Sequence, residues 1–393
     1  MELSALFTHL VQNAPGFAAR LDAAGLKPEM LRTLDDLSAL PVMRKDQLAE
    51  LQAANPPFGG FLACPEGPGG LKRIFQSPGP IYDPEPRGTD YWRWASAYRA
   101  AGFQAGDLVF NAFGYHLTPA GAMFEEGLWA IGCAVIPGGV GNQEQQVRLL
   151  HDLPVIGYVG LPSYLKTLLE KAAVLQLPLQ LKKAFVCAEP LPASLRTVLN
   201  GYGLTVYQGY GTAECGNLGY ECDQQNGWHI PEDVLVQVCD LTTGHPLPPG
   251  QSGEVVVTLF TTHYALVRFG TGDLSSLNTE PCACGRTSPR LMGWQGRVGD
   301  AVKVRGMFLH PRQLQQFMVG FPDVVRWQAR ITRHDHKDYL TLRIALGPST
   351  DASSLPGRLA QAARESIKFH PEIEVVPDLP ADAPPIQDER TWE

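Results

Sequence analysis

The segment from residue 90 to residue 209 alternates short apolar runs with stretches of helical spacing, and this alternation constrains the fold more than any other feature. The runs at 108–112, 155–160 and 205–209 are too short for helices and contain β-branched and aromatic residues. Because such strands alternate with helices, they predict a parallel sheet with both faces covered. We therefore expect an α/β fold for the larger part of the chain.

Further along the chain the pattern changes twice. Residues 234–259 run as strand, glycine- and proline-rich turn and strand, which predicts a β-rich subdomain. From residue 301 onward, the order strand, helix, strand, strand, helix, strand predicts a small α+β domain of ferredoxin-like type. The boundary falls within 296–300, so we predict a large domain over residues 1–298 and a small domain over residues 299–393.

The first hundred residues give weaker signals. Mixed apolar spacings over 21–37 and after Leu40 indicate short helices, and aromatic residues at helical spacing indicate another helix over 90–101. Residues 55–88 lie between these segments and are dense in glycine and proline. We expect that stretch to be mostly loop.

Composition and charge exclude several classes of protein. The 40 glycines and 33 prolines among 393 residues fall short of the share typical of low-complexity disorder. The formal net charge is −8, and no more than two Lys or Arg residues are adjacent, so no nucleic-acid-binding surface is indicated. The N-terminus lacks the basic region of a secretory signal, and glycine and proline interrupt the long uncharged stretches. We expect a cytoplasmic protein that acts on small molecules, with reduced cysteines.

Three segments carry side chains suited to chemistry. In YQGYGTAECG, residues 207–216, a strand ends in a glycine-flanked turn that displays a hydroxyl group and a carboxylate. Such turns bind anions through backbone N–H groups, and a carboxylate there can hold Mg²⁺ against phosphate oxygens. An ordinary turn explains the same glycines equally well. The other segments, VRFGTGDL at 267–274 and GRVGDAVKVRG at 296–306, taken alone indicate a turn and a connector.

Taken in order, the three segments resemble those of the adenylate-forming superfamily of acyl- and aryl-CoA ligases. More narrowly, the chain resembles the phenylacetate–CoA ligase branch from about residue 35 to its end, in the segments LPVMRKDQL, VIPGGVGNQEQQ, CAEP, CACGRTSPR and RGMFLHPRQLQ. The resemblance implies a large nucleotide- and acyl-binding domain and a small mobile C-terminal domain. It implies that an aryl or acyl carboxylate, phenylacetate-like, is activated with ATP as its adenylate and transferred to CoA, with Mg²⁺ as cofactor and a homodimer as the expected assembly.

The resemblance also assigns roles to individual residues of this sequence. It places Glu214 on Mg²⁺ and Thr212 near the phosphate; Glu189, Tyr210 and Gly211 around the adenine; Asp273 on the ribose hydroxyls with Arg297 close by; Asp300 at the hinge of the small domain; and Tyr115 and His116 in the acyl pocket.

Two departures from the family pattern concern positive charge. The place of the family's Ser/Thr/Gly-rich phosphate loop, with its lysine, holds FQSPGPIYDPEP at 75–86, where prolines remove N–H donors and Asp83 and Glu85 repel phosphate. The family's C-terminal lysine is also missing, since no lysine follows Lys368. The departures leave open a catalytically impaired or repurposed relative that binds nucleotide or acyl-adenylate. A protein organised by zinc around a vestigial cleft is a third alternative.

The cysteines supply one further candidate site. Cys222 and His229 flank Gly227 and Trp228, and Cys282 and Cys284 follow some fifty residues later. In a cytosolic chain such residues can supply a tetrahedral Cys₃His shell for a structural Zn²⁺, a pattern that several proteins resembling phenylacetate–CoA ligase share. The alternative is that the four residues lie in unrelated loops.

Overall fold

A computed structural model describes residues 3–77, 79–298, 302–305, 307–309, 311–347, 354–367 and 369–391 of the chain. The chain divides into two compact units, one of Met1–Leu191 with Arg196–Val298 and the other of Pro192–Leu195 with Gly299–Glu393. Among the helices of the described ranges, none combines the length and the apolar character needed to span a membrane.

The helices up to residue 298 are α1 (Leu3–Asn13), α2 (Pro15–Ala23), α3 (Lys45–Ala54), α4 (Ala95–Ala100), α5 (Ala120–Trp129), α6 (Gln143–Asp152), α7 (Pro162–Leu175) and α8 (Ala193–Gly201). The strands are β1 (Met43–Arg44), β2 (Leu71–Ser77), β3 (Ile81–Pro86), β4 (Leu108–Asn111), β5 (Ala134–Pro137), β6 (Gly157–Gly160), β7 (Lys183–Val186), β8 (Thr205–Thr212), β9 (Gly216–Tyr220), β10 (Trp228–His229), β11 (Val234–Cys239), β12 (Ser252–Leu259), β13 (Phe269–Asn278), β14 (Arg290–Leu291) and β15 (Gly296–Arg297).

The parallel sheet predicted from the alternating pattern is present. Strands β5, β4, β6, β7 and β8 lie side by side in that order, every pair is parallel, and a helix follows each strand except β8 before the next begins. Val109, Val159, Phe185 and Val206 from these strands are fully buried. Burial of these apolar side chains explains why the runs lack polar alternation.

Beyond β8 the sheet continues with mainly antiparallel strands. The order runs β8, β9, β10, β14, β13, β12, β11, and β1 and β15 also pair with β13. The predicted hairpin of the β-rich region is confirmed as β11 and β12, which pair antiparallel from Val234 with Leu259 to Cys239 with Glu254. Within this part of the sheet, β1 and β15 pair with β13 and so place the segments around residues 43 and 297 beside residues 269–274, while Thr212 at the end of β8 pairs with Gly216 of β9.

The expectation that residues 55–88 are mostly loop is wrong for their second half. Strands β2 and β3 form an antiparallel hairpin in which Phe75 lies opposite Asp83. The prolines are compatible with this pairing because a two-stranded ribbon leaves the outer edge of each strand free, and there a missing N–H costs nothing.

Two helices in the first hundred residues also differ from expectation. Helix α2 ends at Ala23, and residues 28–30 and 35–39 form only short 3₁₀ turns, because Gly25 adopts a left-handed conformation and Pro28 follows. The helix expected over 90–101 begins only at Ala95. The Asp90 carboxylate accepts hydrogen bonds from the N–H groups of Trp94 and Ala95, at 2.8 and 2.9 Å, and thereby holds the turn that precedes α4.

The second unit is the predicted small α+β fold with one difference. Its elements are β16 (Val302–Val304), β17 (Met307–Leu309), α9 (Pro311–Val319), β18 (Val324–His334), β19 (Lys337–Leu346), α10 (Leu355–Ser366), β20 (Glu372–Val375) and β21 (Ile386–Asp388). Its sheet has the order β20, β19, β18, β21. The first strand pairs with β17 in a separate hairpin, and β21 takes the edge of the sheet instead, parallel to β18.

Candidate active site

Asp273 lies at the centre of a group of hydrogen-bond donors. The Tyr210 hydroxyl donates to Oδ2 of Asp273 at 2.9 Å, and Nε1 of Trp294 donates to Oδ1 at 3.1 Å. Nε of Arg297 lies 3.0 Å from Oδ1, because β13 pairs with β15 so that Asp273 faces Arg297. Burial and the charge of Asp273 raise the pKa of Tyr210, so the hydroxyl remains a donor. Three side chains therefore contact the carboxylate, and Asp273 as a whole is 6% exposed.

Glu214 lies in the turn after β8 and forms an ion pair with Lys45. Nζ of Lys45 is 2.5 Å from Oε1 of Glu214, whose side chain is 1% exposed, against 32% for Lys45. Burial opposes ionisation of Glu214, but the attraction of Lys45 outweighs it and lowers the pKa of the carboxyl group. The same attraction raises the pKa of Lys45 against the effect of burial. Both groups are therefore charged at neutral pH.

Lys45 is the first residue of helix α3, and the contacts of this helix position it beside Glu214. Strand β1, directly before the helix, pairs with the start of β13, and the Gln47 side chain accepts a hydrogen bond from the Arg44 N–H at 2.8 Å. At the other end of the helix, Gln52 donates to the Tyr82 carbonyl at 2.9 Å and accepts from the Tyr82 N–H at 2.7 Å. These contacts fasten α3 to the β2–β3 hairpin.

The hairpin places a second carboxyl group beside the ion pair. Asp83 on β3 is 0% exposed, and its carboxyl group interacts with the Ser77 side chain at the end of β2. Burial raises the pKa of Asp83 well above its ordinary value, repulsion by Glu214 raises it further, and Lys45 opposes both effects. The charges of Glu214 and Lys45 therefore both act on the carboxyl group of Asp83.

The oxygen atoms at this site fit a hard divalent cation. Glu214 and Asp83 offer carboxylate oxygens, and carboxylates are ligands that Mg²⁺ accepts. The Thr212 hydroxyl lies in the same turn and accepts the Cys215 N–H at 3.2 Å. The ammonium group of Lys45 already neutralises Glu214, so a cation bound there has to compete with it.

Glu189 and Gly211 line the same end of the sheet. The Ser163 hydroxyl donates to Oε2 of Glu189 at 2.6 Å, and Nε2 of Gln208 donates to the Glu189 carbonyl at 3.1 Å. A Cβ atom on Gly211 would lie 2.3 Å from the Gly216 carbonyl oxygen, which explains the need for glycine there.

Tyr115 and His116 follow β4. The Tyr115 hydroxyl accepts a hydrogen bond from Asn111 at 2.7 Å, and burial, then Glu125, raise its pKa. The His116 ring lies against Gly114. The predicted hinge residue, Asp300, lies outside the described residues.

The four predicted metal ligands are brought together. One ligand atom from each of Cys222, His229, Cys282 and Cys284 lies within 4.8 Å of all the others. Sγ of Cys222 is 3.8 Å from Sγ of Cys282, and Sγ of Cys284 is 3.5 Å from Nε2 of His229. Zn–S bonds of about 2.3 Å imply a tetrahedral edge of about 3.8 Å, so the spacing fits zinc. Burial and nearby arginines lower the pKa of His229, which favours the neutral imidazole that binds metal.

The cysteine cluster is connected to the nucleotide-binding candidates. Trp228 precedes His229 on β10, and its ring stacks on Tyr210 with centroids 5.4 Å apart and planes 13° from parallel. Tyr210 in turn donates to Asp273. The cluster is therefore linked to Asp273 through the stack of Trp228 on Tyr210 and the hydrogen bond from Tyr210.

Sequence reasoning missed Lys45, Asp83 and Trp294 as members of this site. Lys45 lies in the segment LPVMRKDQL, which drew attention only through the family resemblance, and Asp83 was noted only as a source of repulsion. No local spacing signals either residue, because β1 and the hairpin reach the site through long-range strand pairing and side-chain contacts.

Comparison with known proteins gives a consistent result. Residues 98–259 match the AMP-binding enzyme family. The phenylacetate–coenzyme A ligase of Thermus thermophilus is 33% identical over 359 residues, and the match covers 87% of this chain and 79% of that protein. The phenylacetate–coenzyme A ligase of Aromatoleum evansii is 29% identical over 374 residues, and that match covers 91% of this chain and 83% of the relative. A crystal structure of 2-hydroxyisobutyryl-CoA ligase with 2-HIB-AMP and CoA superposes with a TM-score of 0.88 at 25% identity, covering 99% of this chain and 88% of that one. The chain is thus an AMP-forming acid–CoA ligase and belongs to the phenylacetate–coenzyme A ligase family of adenylate-forming enzymes.

Proposed function

We propose that this ligase activates an aryl carboxylate of the phenylacetate type, forming the acyl-adenylate and pyrophosphate from ATP and then the CoA thioester. The observation that carries the proposal is the similarity to phenylacetate–coenzyme A ligases along 87–91% of this chain. The donor-rich setting of Asp273 supports it, because a rigid carboxylate suits recognition of a ribose diol.

The residues at the end of the sheet bind different parts of the nucleotide in this enzyme. Asp273, with Arg297 beside it, binds the ribose, while Glu189, Tyr210 and Gly211 surround the adenine. Thr212 and Glu214 face the phosphates. Catalysis is mainly positioning and neutralisation of charge, since phosphate oxygens carry the developing negative charge.

The acyl group lies beside the loop after β4 in the same proposal. Tyr115 is 38% exposed, and its hydroxyl is oriented by Asn111. His116 follows it in the chain and completes this side of the pocket.

Two cations complete the proposed enzyme. The carboxylate oxygens of Glu214 would hold Mg²⁺ that binds with ATP. The cation would neutralise negative charge on the phosphates. Zn²⁺ bound by Cys222, His229, Cys282 and Cys284 has no open position, so its role is structural. It ties the segment after Glu214 to the segment after Asp273.

The proposed enzyme has two domains and assembles as a dimer. Residues 1–298 form the nucleotide- and acyl-binding domain, and residues 299–393 form a small domain that moves about Asp300 between adenylation and thioester formation. The assembly is a homodimer, and the compartment is the cytoplasm, where the free cysteines stay reduced.

Pyrophosphate release tests the proposed function. Purified protein is given MgATP and, in turn, phenylacetate, benzoate, 2-hydroxyisobutyrate or a straight-chain acid, first without CoA and then with it. We expect arylacetates to give the highest kcat/KM, with adenylation the slower half-reaction because the phosphate loop is altered. A preference for an aliphatic acid would contradict the substrate class. Binding of AMP without acid-dependent pyrophosphate release would instead favour the binding-only relative.

A further inference from the structure

Trp294 makes a contact that the proposed function leaves unexplained. Its indole Nε1 donates a hydrogen bond to Oδ1 of Asp273 at 3.1 Å. Nε of Arg297 lies 3.0 Å from the same oxygen, and the Tyr210 hydroxyl donates to the other oxygen, Oδ2, at 2.9 Å. Two donors therefore share Oδ1, whereas Oδ2 takes one.

The Asp273 carboxylate has a limited capacity to accept hydrogen bonds. Its two oxygens offer about four lone-pair positions, roughly two on each. Contacts from the described residues take both positions on Oδ1 and one of the two on Oδ2. A ribose diol that binds both oxygens needs one position on each. The hydroxyl group that approaches Oδ2 finds a free position, whereas the hydroxyl group that approaches Oδ1 has to displace a donor.

Of the two donors on Oδ1, Trp294 is the easier one to displace. Departure of Arg297 would separate two opposite charges where the side chain of Asp273 is only 8% exposed, which is costly. Arg297 is also held in place, because β15 pairs with β13 so that it faces Asp273. Departure of the uncharged indole breaks a single hydrogen bond.

Rotation of the indole side chain is sufficient for this displacement. The backbone on either side of Trp294 is fixed, because the Met292 N–H donates to the Ser276 carbonyl and the Gln295 N–H to the Leu274 carbonyl, both at 2.9 Å. Trp294 is only partly buried, so its N–H group can pair with water after it leaves Asp273.

We propose that Trp294 competes with the nucleotide for Asp273: its indole N–H occupies Oδ1 in the free enzyme and yields that position to one hydroxyl group of the ribose. The indole keeps the carboxylate paired when no nucleotide is bound. Because this hydrogen bond is lost when the ribose binds, Trp294 also lowers the affinity for AMP and so favours release of that product. The inference rests on the proposed ribose role of Asp273, but not on which acid is activated.

The experiment is calorimetry of the full-length protein with AMP, 2′-deoxy-AMP and 3′-deoxy-AMP, without acid or CoA. Trp294→Phe keeps an aromatic ring and removes the N–H group, and thermal unfolding checks its fold. We expect this variant to bind AMP roughly threefold to tenfold more tightly than the wild type, the value of one hydrogen bond. The deoxynucleotide that retains the displacing hydroxyl group should show the same gain. The other should bind to both proteins equally.

Two controls separate competition from a structural effect. A pocket that is merely loosened by Trp294→Phe would change the affinity for all three nucleotides alike. Trp129→Phe is the matched control, because Trp129 is 49% exposed at the end of α5, and we expect wild-type affinities. In spectra of ¹⁵N-labelled protein, the indole signal that is absent from Trp294→Phe should move upfield when AMP binds, as its proton leaves the carboxylate.

Unchanged or weaker AMP binding in Trp294→Phe, an equal gain for all three nucleotides, the same gain in Trp129→Phe, or an indole signal that does not move upfield would each overturn the proposal. Asp273→Asn distinguishes this failure from failure of the ribose assignment. If Asp273→Asn weakens AMP binding while Trp294→Phe does not strengthen it, only the competition is wrong. The outcome is independent of whether an arylacetate is a substrate.

Discussion

Replacing Lys45 with methionine tests the ion pair on which the site depends. Methionine keeps the length and much of the apolar stem of lysine but leaves the Glu214 carboxylate, 1% exposed, without its counter-charge. The substitution removes Lys45, the more exposed partner, and leaves the more buried carboxylate of Glu214 uncompensated. Breaking an ion pair in this way is strongly destabilising.

The expected loss of stability follows from two independent estimates. Removing one partner of a buried ion pair costs roughly 3–5 kcal/mol. The variant can instead protonate Glu214, which removes the buried charge. Protonating a glutamate with the ordinary pKa of about 4.3 costs about 3.7 kcal/mol at pH 7, and this sets an upper limit on the loss. We therefore expect the free energy of unfolding at pH 7 to fall by about 3 kcal/mol.

The loss has a defined dependence on pH. In the wild type the pKa of Glu214 is lowered, so the pair stabilises the fold above about pH 4.3, the unfolded value, and this contribution disappears as the pH falls. Without Lys45, burial raises the pKa of Glu214, so the variant loses stability as the pH rises above that value. The difference between the two proteins therefore widens from pH 5 to pH 7.

Urea unfolding of both proteins between pH 5 and pH 8 measures this difference. Lys72→Met is the matched control: Lys72 is 30% exposed and contacts the buried Glu126, but Glu126 keeps Arg73 at 3.0 Å. We expect the control to lose much less stability, and Glu214→Gln added to Lys45→Met to recover part of the loss. A difference below about 1 kcal/mol at pH 7, or one that does not change with pH, would refute this reasoning.

Three other predictions concern the nucleotide, the metal and the turn. Asp273→Asn should weaken AMP binding roughly tenfold to a hundredfold in calorimetry, because charge-assisted hydrogen bonds are worth about 1.5–3 kcal/mol each; unchanged affinity would exclude a ribose role. Elemental analysis should find one zinc per chain, and Cys282→Ser with Cys284→Ser should abolish it and lower the melting temperature; a zinc content near zero in the wild type would contradict the site. Gly211→Ala should cost at least about 1 kcal/mol in thermal unfolding, because its Cβ would meet a carbonyl oxygen at 2.3 Å, whereas Gly357→Ala, with open space around it, should be neutral or stabilising.

Local pattern was enough to predict the order of elements in most of the chain. The parallel strands β4 to β8 and the hairpin of β11 and β12 occur where apolar runs and turn residues placed them. These features are visible in the sequence because a strand or helix imposes its own period on neighbouring residues. Where turn chemistry competes with the period, as at Asp90 and Pro28, the predicted helix bounds were wrong.

The segments that carry the site could also be found in the sequence, since strand ends and glycine turns are local features. The four metal ligands were predicted from residue type and from resemblance, and their side chains do converge. The roles of all the predicted site residues remain predictions, because the contacts that the structure shows for them, such as those of Glu189 and Tyr115, are to other protein groups.

Only the tertiary structure decided which charges meet. Lys45 reaches Glu214 because β1 pairs with β13, and Asp83 reaches both because residues expected to be loop form a hairpin that α3 holds through Gln52. Such contacts depend on sheet register and on packing between segments far apart in the chain. The local periodicity of apolar residues does not indicate either of them. Sequence alone therefore indicated a family and a set of motifs, whereas the ionic character of the site, a buried carboxyl group beside an ion pair, follows from the fold that brings the three groups together.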